Sequence, residues 1–371
     1  MRLCLVTPYF TTSLPSVEYN LVQSLLKYGH EITILTSKRR APREIMPKSF
    51  KELQGLRVRC LPTIVDIGKN PIILGFNAKE FKNYDVIFLQ GSDHFICQRV
   101  FFNLHFGIRK ILLYERSTYL ESPIRNLIVK FLNKTINKKI INNMDKIVAY
   151  SSEAKKFLER EVNTRRSITV IHIGVDTEFF KPIEGEQRCL KEGGLKILTV
   201  ARLVKRKGLD YLINSIYFLK KDIPNIKLYI RGSGPEQRNL KNLVKSLNLE
   251  NQVKFLEEPI PQEMMPLLYG ECDIYVQPSL FEPYGLTVLE AMSCGKPVIA
   301  TKVGVFVDAI KNGETGFLIE PQSSEQLANK ILELNDEKKR KKMGKKARMR
   351  IIRNFSFDTC GREFQNLLSN L

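Results

Sequence analysis

The chain has no long apolar run: nowhere does it approach the roughly 18 uninterrupted apolar residues that a membrane-spanning helix needs. The first apolar run, within Met1–Pro8, is also too short for a signal peptide and predicts a buried first strand. The seven cysteines are scattered, odd in number and never spaced as C-x-x-C. This pattern argues against a zinc site or a disulfide framework and predicts reduced thiols in a cytoplasmic protein.

Acidic residues are scarce relative to basic ones. The 39 Asp and Glu residues face 59 Lys and Arg residues, which gives a net charge of +20 at pH 7. Such a chain is drawn to polyanions, whether nucleic acid, an anionic membrane or phosphorylated substrates. The alternative is a solvated basic surface without a polyanionic partner. Since no RNA-binding signature or basic-aromatic stripe is present, we expect no specific nucleic acid partner.

Strand-like and helix-like segments alternate along both halves of the chain, which predicts doubly wound parallel sheets in an α/β protein. At 371 residues the chain exceeds the usual size of one core, so we expect two Rossmann-like domains that face a cleft. The predicted domains span 1–180 and 195–355, with a linker rich in Gly and charge around Lys181–Gly194. The last helix, within 356–371, is expected to cross back onto the first domain.

The predicted strands are short apolar runs bounded by turn residues. In the first half they are Leu3–Thr7, Glu31–Thr36, Val58–Leu61, Val86–Leu89, Ile111–Tyr114, Ile147–Tyr150 and Ser167–Ile171. In the second half they are Lys196–Val200, Lys227–Arg231, Val253–Leu256, Asp273–Gln277, Pro297–Thr301 and Gly316–Ile319.

Two glutamates flank a tight turn that enters a helix: Glu282 precedes the turn, and Glu290 lies about one turn into the helix. Free N–H groups and the helix dipole make such a helix start a phosphate site. The residues assigned to this site are Tyr284, Gly285, Leu286 and Thr287. Glu282 is placed to accept hydrogen bonds from sugar hydroxyls, and Glu290 from two ribose hydroxyls. The alternative is an ordinary helix with one acid near its start and a second for solubility.

A basic segment, Ala201–Gly208, follows the first strand of the second half. Two fixed cations facing a departing diphosphate stabilise the transition state more than the ground state. Arg202 suits forked phosphate contact and Lys207 acts as a point charge. The alternative is a solvated basic loop, which we favour for Lys205 and Arg206.

Gly232 and Ser233 lie in the turn Arg231–Glu236, between a predicted strand and a predicted helix. Glycines at such a turn allow a ligand to approach the backbone closely, and we assign both residues to ligand binding. A plain turn would have the same sequence.

Taken in order, these motifs resemble the donor domain of family 4 glycosyltransferases, which have the GT-B architecture. The matching segments are Val170–Asp176, Val200–Leu203, Lys207-Gly208, Gly232–Pro235, Glu282–Met292 and Gly295–Ala300. The resemblance implies that Glu282 contacts the transferred sugar and Glu290 the ribose, while Arg202 and Lys207 hold the diphosphate.

The resemblance also implies transfer that retains the anomeric configuration, with a nucleoside diphosphate sugar as co-substrate and neither cofactor nor metal. The chain has no Asp-x-Asp pair of the kind that metal-dependent transferases use. The mechanism expected is front-face displacement. In it the acceptor hydroxyl attacks from the side of the leaving group, and a phosphate oxygen takes its proton.

The first half departs from the family pattern. Many relatives carry paired glycines before the first helix, whereas Thr12–Glu18 has none. Relatives also often have a histidine where this chain has Glu115-Arg116. The residues assigned to the acceptor side are Ser16, His94, Glu115 and Arg116. Either Glu115 or Arg116 takes the role of the relatives' histidine, and the alternative is that this chain lacks the role. For His94, which follows a strand, a simple loop histidine is the alternative.

The segment Ile124–Ile141 alternates apolar residues at helical spacing with lysines. A basic amphipathic helix of this kind suits an anionic membrane surface. The alternative, which we favour, is a domain helix that packs its apolar face inward.

We therefore expect a hexosyltransferase that moves a hexose-type sugar from a nucleoside diphosphate donor to a glycan or lipid-linked acceptor. It would work in the cytoplasm or peripherally on the cytoplasmic face of a membrane. The alternatives are a non-catalytic nucleotide-sugar-binding or scaffold subunit of a glycan assembly complex, a nucleotide-sugar epimerase of the same fold, and an anion-binding surface protein.

Overall fold

A computed structural model describes residues 1–10, 16–37, 54–66, 70–73, 75, 78–104, 107–117, 123–164, 166–183, 190 and 193–371, with only the backbone of 66, 123–125 and 128. Its contacts divide the chain into two compact units. The first comprises Met1–Gly174 and Phe357–Leu371, and the second comprises Val175–Ser356. Each unit holds its own cluster of buried apolar side chains.

The first unit is built on a parallel sheet of seven strands in the order β3-β2-β1-β6-β7-β8-β9. Its strands are β1 (Arg2–Val6), β2 (Glu31–Ser37), β3 (Leu56–Leu61), β4 (Thr63–Asp66), β5 (Pro71–Ile73), β6 (Val86–Gln90), β7 (Arg109–Tyr114), β8 (Lys146–Ala149) and β9 (Ile168–Val170). Strands β4 and β5 form a separate antiparallel pair, which the sequence did not predict. The helices are α1 (Val17–Leu26), α2 (Phe95–Asn103), α3 (Pro123–Lys134), α4 (Ile136–Asn142), α5 (Ser152–Val162) and a 3-10 helix, Ala78–Asn83.

The order of this sheet reverses between β1 and β6, which places a topological switch point at their carboxyl ends. Every residue of β6 is buried, as expected for a strand covered on both faces. The loop after β6 carries His94. Of the glycine-free loop after β1, residues 11–15 lie outside the described part of the chain.

The second unit is built on a six-stranded parallel sheet in the order β12-β11-β10-β13-β14-β15. Its strands are β10 (Lys196–Val200), β11 (Lys227–Arg231), β12 (Val253–Leu256), β13 (Ile274–Gln277), β14 (Val298–Thr301) and β15 (Gly316–Ile319). Its helices are α6 (Leu209–Leu219), α7 (Gln237–Ser246), α8 (Met265–Glu271), α9 (Leu286–Ser293), α10 (Phe306–Ala309), α11 (Ser324–Glu333) and α12 (Glu337–Asn354), with 3-10 helices at Lys205–Lys207 and Gln262–Met264. Here the order reverses between β10 and β13.

The predicted linker begins and ends within the second unit, because the division falls after Gly174 rather than after residue 180. The N–H of Val175 donates to the carbonyl of Phe355 at 2.8 Å. The N–H of Leu190 donates to Glu271 Oε2 at 2.6 Å. Residues 184–189 and 191–192 of this segment lie outside the described residues.

The C-terminal helix α13 (Phe357–Ser369) belongs to the first unit, where it packs against α1. The Tyr28 hydroxyl donates to the carbonyl of Asp358 at 3.1 Å. The rings of Phe88 and Phe364 meet edge to face with centroids 6.0 Å apart. The chain therefore returns to its first sheet after completing the second.

The predicted amphipathic segment forms α3 and α4, and its apolar side chains divide between inside and outside. Val129 is buried, whereas Leu127 and Phe131 are 71% and 67% exposed. Inward packing therefore accounts for only part of this apolar pattern.

No helix in the described ranges is both long and apolar enough to cross a bilayer. The six cysteines whose placement is described are all unbridged.

Candidate active site

The switch point of the second unit brings together the loops that follow β10 and β13. Because the carboxyl ends of parallel strands lie at one edge of a sheet, Ala201–Gly208 and Pro278–Gly285 emerge side by side. The N–H of Leu280 donates to the carbonyl of Arg206 at 2.8 Å, which ties the two loops. The basic and the acidic motif are thereby held in contact although about 75 residues separate them along the chain.

Lys207 and Glu282 form a buried ion pair at the centre of this edge. Lys207 Nζ donates to Glu282 Oε2, and the two residues are 8% and 6% exposed. The Ser279 hydroxyl donates to the same carboxylate oxygen at 3.1 Å. Burying two charges costs solvation that only good pairing and further hydrogen bonds offset, so each partner depends on the other. Two residues predicted for separate roles are therefore paired before any ligand is considered.

Arg206 also contacts this pair, so its assignment to a solvated loop is wrong. Its side chain is 30% exposed, and Nη1 lies 3.7 Å from Glu282 Oε1. The guanidinium also stands over the ring of Phe281 at 5.7 Å from the centroid. Arg206 therefore adds a second positive charge beside Glu282.

A chain of buried hydrogen bonds leads from the sheet to Glu282. The Tyr275 hydroxyl donates to Gln277 Oε1 at 2.9 Å, and Gln277 Nε2 donates to the Ser279 hydroxyl at 2.9 Å. Sequence reasoning assigned no role to Gln277 or Ser279. The available signal was a pair of polar residues at the end of an otherwise apolar strand. Their network fixes the Glu282 side chain in one orientation.

The helix start at α9 has the geometry predicted for an anion site. The N–H groups of Gly285, Leu286 and Thr287 donate to no residue that the structure describes. Gly285 has a φ of 99°, a conformation that favours glycine, and an added Cβ would collide with the ring of Phe306. The Tyr284 side chain is buried, so only the backbone of this residue faces the turn. The turn thus offers three free donors at the positive end of a helix dipole.

Glu290 lies inside the unit, 5% exposed, and accepts a hydrogen bond from the Tyr269 hydroxyl at 2.7 Å. Burial raises the pKa of the Glu290 carboxyl to about 7, although the hydrogen bond from Tyr269 acts in the opposite direction. Near neutral pH this side chain therefore changes between a neutral acid and a carboxylate.

Arg202 is positioned by the glycine turn predicted to bind ligand. The N–H of Leu203 donates to the carbonyl of Ser233 at 2.9 Å. An added Cβ at Gly232 would overlap the carbonyl oxygen of Ala201, so the neighbouring loop already requires glycine there. The Arg202 side chain is exposed and makes no hydrogen bond or ion pair with a described residue. It is a free cation at the same edge as Lys207.

In the first unit, two of the predicted acceptor-side residues meet at Asp93. Arg116 Nη2 donates to Asp93 Oδ2, and His94 adjoins this pair at the start of α2. Burial disfavours the Asp93 carboxylate, but the charge and the hydrogen bond of Arg116 oppose it, and the pKa of Asp93 lies below its usual value. Burial lowers the pKa of His94, which favours the neutral imidazole.

The other two acceptor-side residues differ in kind. Ser16 caps α1, with its hydroxyl accepting from the N–H of Tyr19 at 3.1 Å, so it has a structural role. Glu115 is half-buried near Tyr150, whose hydroxyl donates to Gln90 Oε1 at 2.7 Å. Within the described residues, Gln90 Nε2 and Arg116 Nη1 are buried without a hydrogen-bond partner.

Two family models match consecutive parts of the chain. The model described as Glycosyltransferase Family 4 matches residues 16–179, and that described as Glycosyl transferases group 1 matches residues 181–350. Together the two models cover most of the chain, which belongs to the family 4-like glycosyltransferases. It is a glycosyltransferase of group 1, with two parallel-sheet α/β domains, as the resemblance implied.

Curated relatives carry glycosyltransferase names. An uncharacterised glycosyltransferase of Methanocaldococcus jannaschii is 28% identical over 282 residues, which cover 73% of this chain and 71% of the relative. The D-inositol 3-phosphate glycosyltransferase of Corynebacterium aurimucosum is 27% identical over 247 residues, or 63% of this chain and 58% of the relative. A GDP-mannose-dependent phosphatidylinositol monomannoside mannosyltransferase of Mycolicibacterium smegmatis is 26% identical over 64% of this chain and 65% of the relative. The last two matches span less than two thirds of the relatives' own length.

Solved structures share the fold of the transferase over its whole length. The sucrose-phosphate synthase of Thermosynechococcus elongatus has a TM-score of 0.79 at 22% identity, covering 100% of this chain and 98% of the other. HepE of Anabaena, crystallised in complex with UDP, has a TM-score of 0.78 at 20% identity and covers 100% of both chains. At 20–22% sequence identity, the similarity to these two structures establishes the GT-B fold of the chain and nothing further.

Proposed function

We propose that this glycosyltransferase moves a hexose-type sugar from a nucleoside diphosphate to an acceptor hydroxyl, with retained configuration and without a metal ion. The observation that carries the proposal is the free helix start at Gly285–Thr287 beside the buried Lys207–Glu282 pair. Three N–H donors and a lysine fit a diphosphate, and the carboxylate beside them fits the hydroxyls of a sugar.

The proposed reaction breaks the bond between the anomeric carbon and the diphosphate oxygen and forms a bond from that carbon to the acceptor oxygen. The proton of the acceptor hydroxyl passes to a phosphate oxygen, and the nucleoside diphosphate leaves. Arg202, Lys207 and the helix start stabilise the negative charge that grows on the leaving group. Because these donors are already oriented, little reorganisation accompanies the transition state.

In this proposal the two glutamates contact different parts of the donor. Glu282 is held by Lys207, Arg206 and Ser279, so it presents a fixed acceptor to the transferred sugar. Glu290 accepts from the ribose hydroxyls when it is ionised. The Gly232-Ser233 turn contributes by holding the Arg202 loop in place.

The acceptor is proposed to be a glycan or lipid-linked saccharide that meets the first unit near Asp93, His94 and Arg116. Gln90 Nε2 and Arg116 Nη1, which lack partners in the described part of the chain, are donors that acceptor hydroxyls would satisfy. The unbridged cysteines support a cytoplasmic location for the reaction.

Thermal unfolding with UDP, GDP and ADP identifies the donor base, since a ligand of the native state raises the melting temperature. The matching hexose donors are then assayed with saccharide acceptors, with and without a chelator, and the product anomer is determined by NMR. We expect retention and no effect of the chelator. Inverted product, or loss of transfer on chelation, contradicts the mechanism. Isomerised donor without acceptor would identify an epimerase instead.

A further inference from the structure

Helix α12 carries the densest positive charge in the second unit. Six of its exposed residues recur at helical spacing and form one outer face, called here the lysine face. Its members are Lys338, Lys341, Lys342, Lys345, Met349 and Ile352. From the first to the last, the face is about 21 Å long. Lys346 and Arg353 flank it on one side.

The charge of this face is largely uncompensated. Glu337, in the first turn, pairs with Lys341 at 2.6 Å. Lys338, Lys342 and Lys345 form no ion pair with any residue in the described ranges. An unscreened row of lysines attracts a polyanionic surface and repels other cations.

The opposite face of α12 is fixed to its own unit, so the lysine face cannot turn inward. Met343, Ala347 and Ile351 are buried. Arg348 Nη1 donates to the carbonyl of Ser293 at 2.5 Å and to that of Phe180 at 3.1 Å. The helix therefore presents its lysines outward as a rigid strip.

Two apolar side chains complete the lysine face. Met349 and Ile352 are each 43% exposed and lie on the same stripe as Lys338 and Lys345. Exposed aliphatic side chains among lysines gain nothing against a phosphate backbone or a hydrated acidic protein. They gain free energy when they enter the boundary between lipid headgroups and acyl chains.

We propose that the lysine face of α12 docks the transferase on an anionic lipid bilayer. Its lysines meet the lipid phosphates, while Met349 and Ile352 enter the interface and orient the helix along the surface. The proposal does not rest on the proposed function, since it concerns a surface without any part in donor binding or transfer.

The test is sedimentation of the purified full chain with two kinds of vesicle, phosphatidylcholine alone and phosphatidylcholine with about one third phosphatidylglycerol. We expect binding to the anionic vesicles only. The triple variant Lys338→Gln, Lys342→Gln, Lys345→Gln should bind about a hundredfold more weakly, because each lysine near the surface contributes separately. The matched control, Lys221→Gln with Lys245→Gln and Lys311→Gln, removes the same charge from scattered exposed positions and should bind nearly as the parent does.

A second variant separates a bilayer from other polyanions. Met349→Ser with Ile352→Ser keeps every charge and should weaken vesicle binding by about tenfold, while leaving retention on a polyanionic resin unchanged. Equal binding by this variant and the parent overturns the proposal, as does equal weakening by the scattered control. Loss of binding by Leu127→Ser with Phe131→Ser alone would place the membrane contact on α3 and also overturn it. The melting temperature of each variant without ligand or vesicles verifies the fold independently.

Discussion

The carboxyl-end edges of the two sheets differ in how completely their buried polar side chains are paired. At the switch point of the second unit, Glu282 is surrounded by Lys207, Arg206 and Ser279, so its charge is satisfied before a ligand arrives. At the corresponding edge of the first unit, Gln90 and Arg116 each keep a buried donor atom without a partner in the described chain. A complete network holds one geometry, whereas unmet donors gain free energy when a ligand supplies acceptors.

This difference agrees with a family of enzymes whose members share one kind of donor but act on different acceptors. A nucleoside diphosphate sugar always presents the same diphosphate, so a fixed set of cations and N–H groups serves it well. Acceptors differ in their hydroxyls, and the edge proposed to meet them is the one whose motifs depart from the family pattern. Substitutions in each unit test this contrast.

The largest effect is expected at the buried ion pair. Lys207→Ala should lower kcat about a thousandfold, because it removes the cation proposed to face the leaving group. It should also lower the free energy of unfolding by about 3 kcal/mol, because Glu282 is left buried with fewer partners. Kinetics and urea unfolding measure the two effects. In the double variant Lys207→Met with Glu282→Leu, stability should recover while transfer stays lost; recovery of both would refute the role of the pair.

Arg202→Ala should lower kcat/KM about a hundredfold with little change in stability, since this exposed side chain touches no described partner. Lys205→Ala, an exposed cation of the same loop, is the matched control and should behave as the parent does. The two variants are compared by initial rates and melting temperature. An equal loss of activity in both variants would show that the charge of the loop matters rather than the position of Arg202. Full activity in both variants would remove Arg202 from the site.

In the first unit, Arg116→Ala should raise the acceptor KM about tenfold and leave the donor KM unchanged. Asp93 loses its ion pair as well, so some loss of stability is expected. Arg109→Ala, at the exposed start of strand β7, which precedes Arg116 in the chain, serves as control. If Arg116→Ala raised the donor KM instead, the assignment of the acceptor to the first unit and of the donor to the second would be wrong.

The smallest effect concerns pH. Since Glu290 is ionised above about 7, the donor KM should fall about fourfold between about pH 6.5 and 8. The pKa in the folded state exceeds the ordinary value of 4.5, so the stabilisation from the bound proton is present below pH 4.5 and lost as pH rises through about 7. Glu290→Gln should flatten both profiles. A donor KM in the parent that is independent of pH would contradict the ribose assignment.

The sequence alone predicts the elements whose bounds depend on a local pattern of residues. Four strands of the second unit, β10, β11, β12 and β15, have the predicted bounds, because each is an apolar run closed by a turn. The helix start at Gly285 was also readable, since glycine before a helical run marks a backbone turn. The antiparallel pair β4 and β5 was missed, because the two strands are only four and three residues long and form a sheet of their own.

Partners distant in sequence were not predictable. Nothing local in Lys207 indicates that it meets Glu282, or that Arg206 beside it approaches the same carboxylate. Tyr269 as the partner of Glu290 depends on how α8 packs against α9. Burial decides the ionisation of Glu290, and burial follows from tertiary packing rather than from residue type.

Helix α9 connects the proposed diphosphate site with the helix that carries the lysine face. Its first turn has free N–H donors, and the carbonyl of its last residue, Ser293, accepts from Arg348 of α12. Free energies of binding at two sites on one molecule are linked, so any factor by which vesicles change donor affinity must equal the factor by which donor changes vesicle affinity. Measuring either ratio thus determines the other. A ratio different from one would mean that occupancy by sugar nucleotide changes how firmly the transferase stays at the lipid surface.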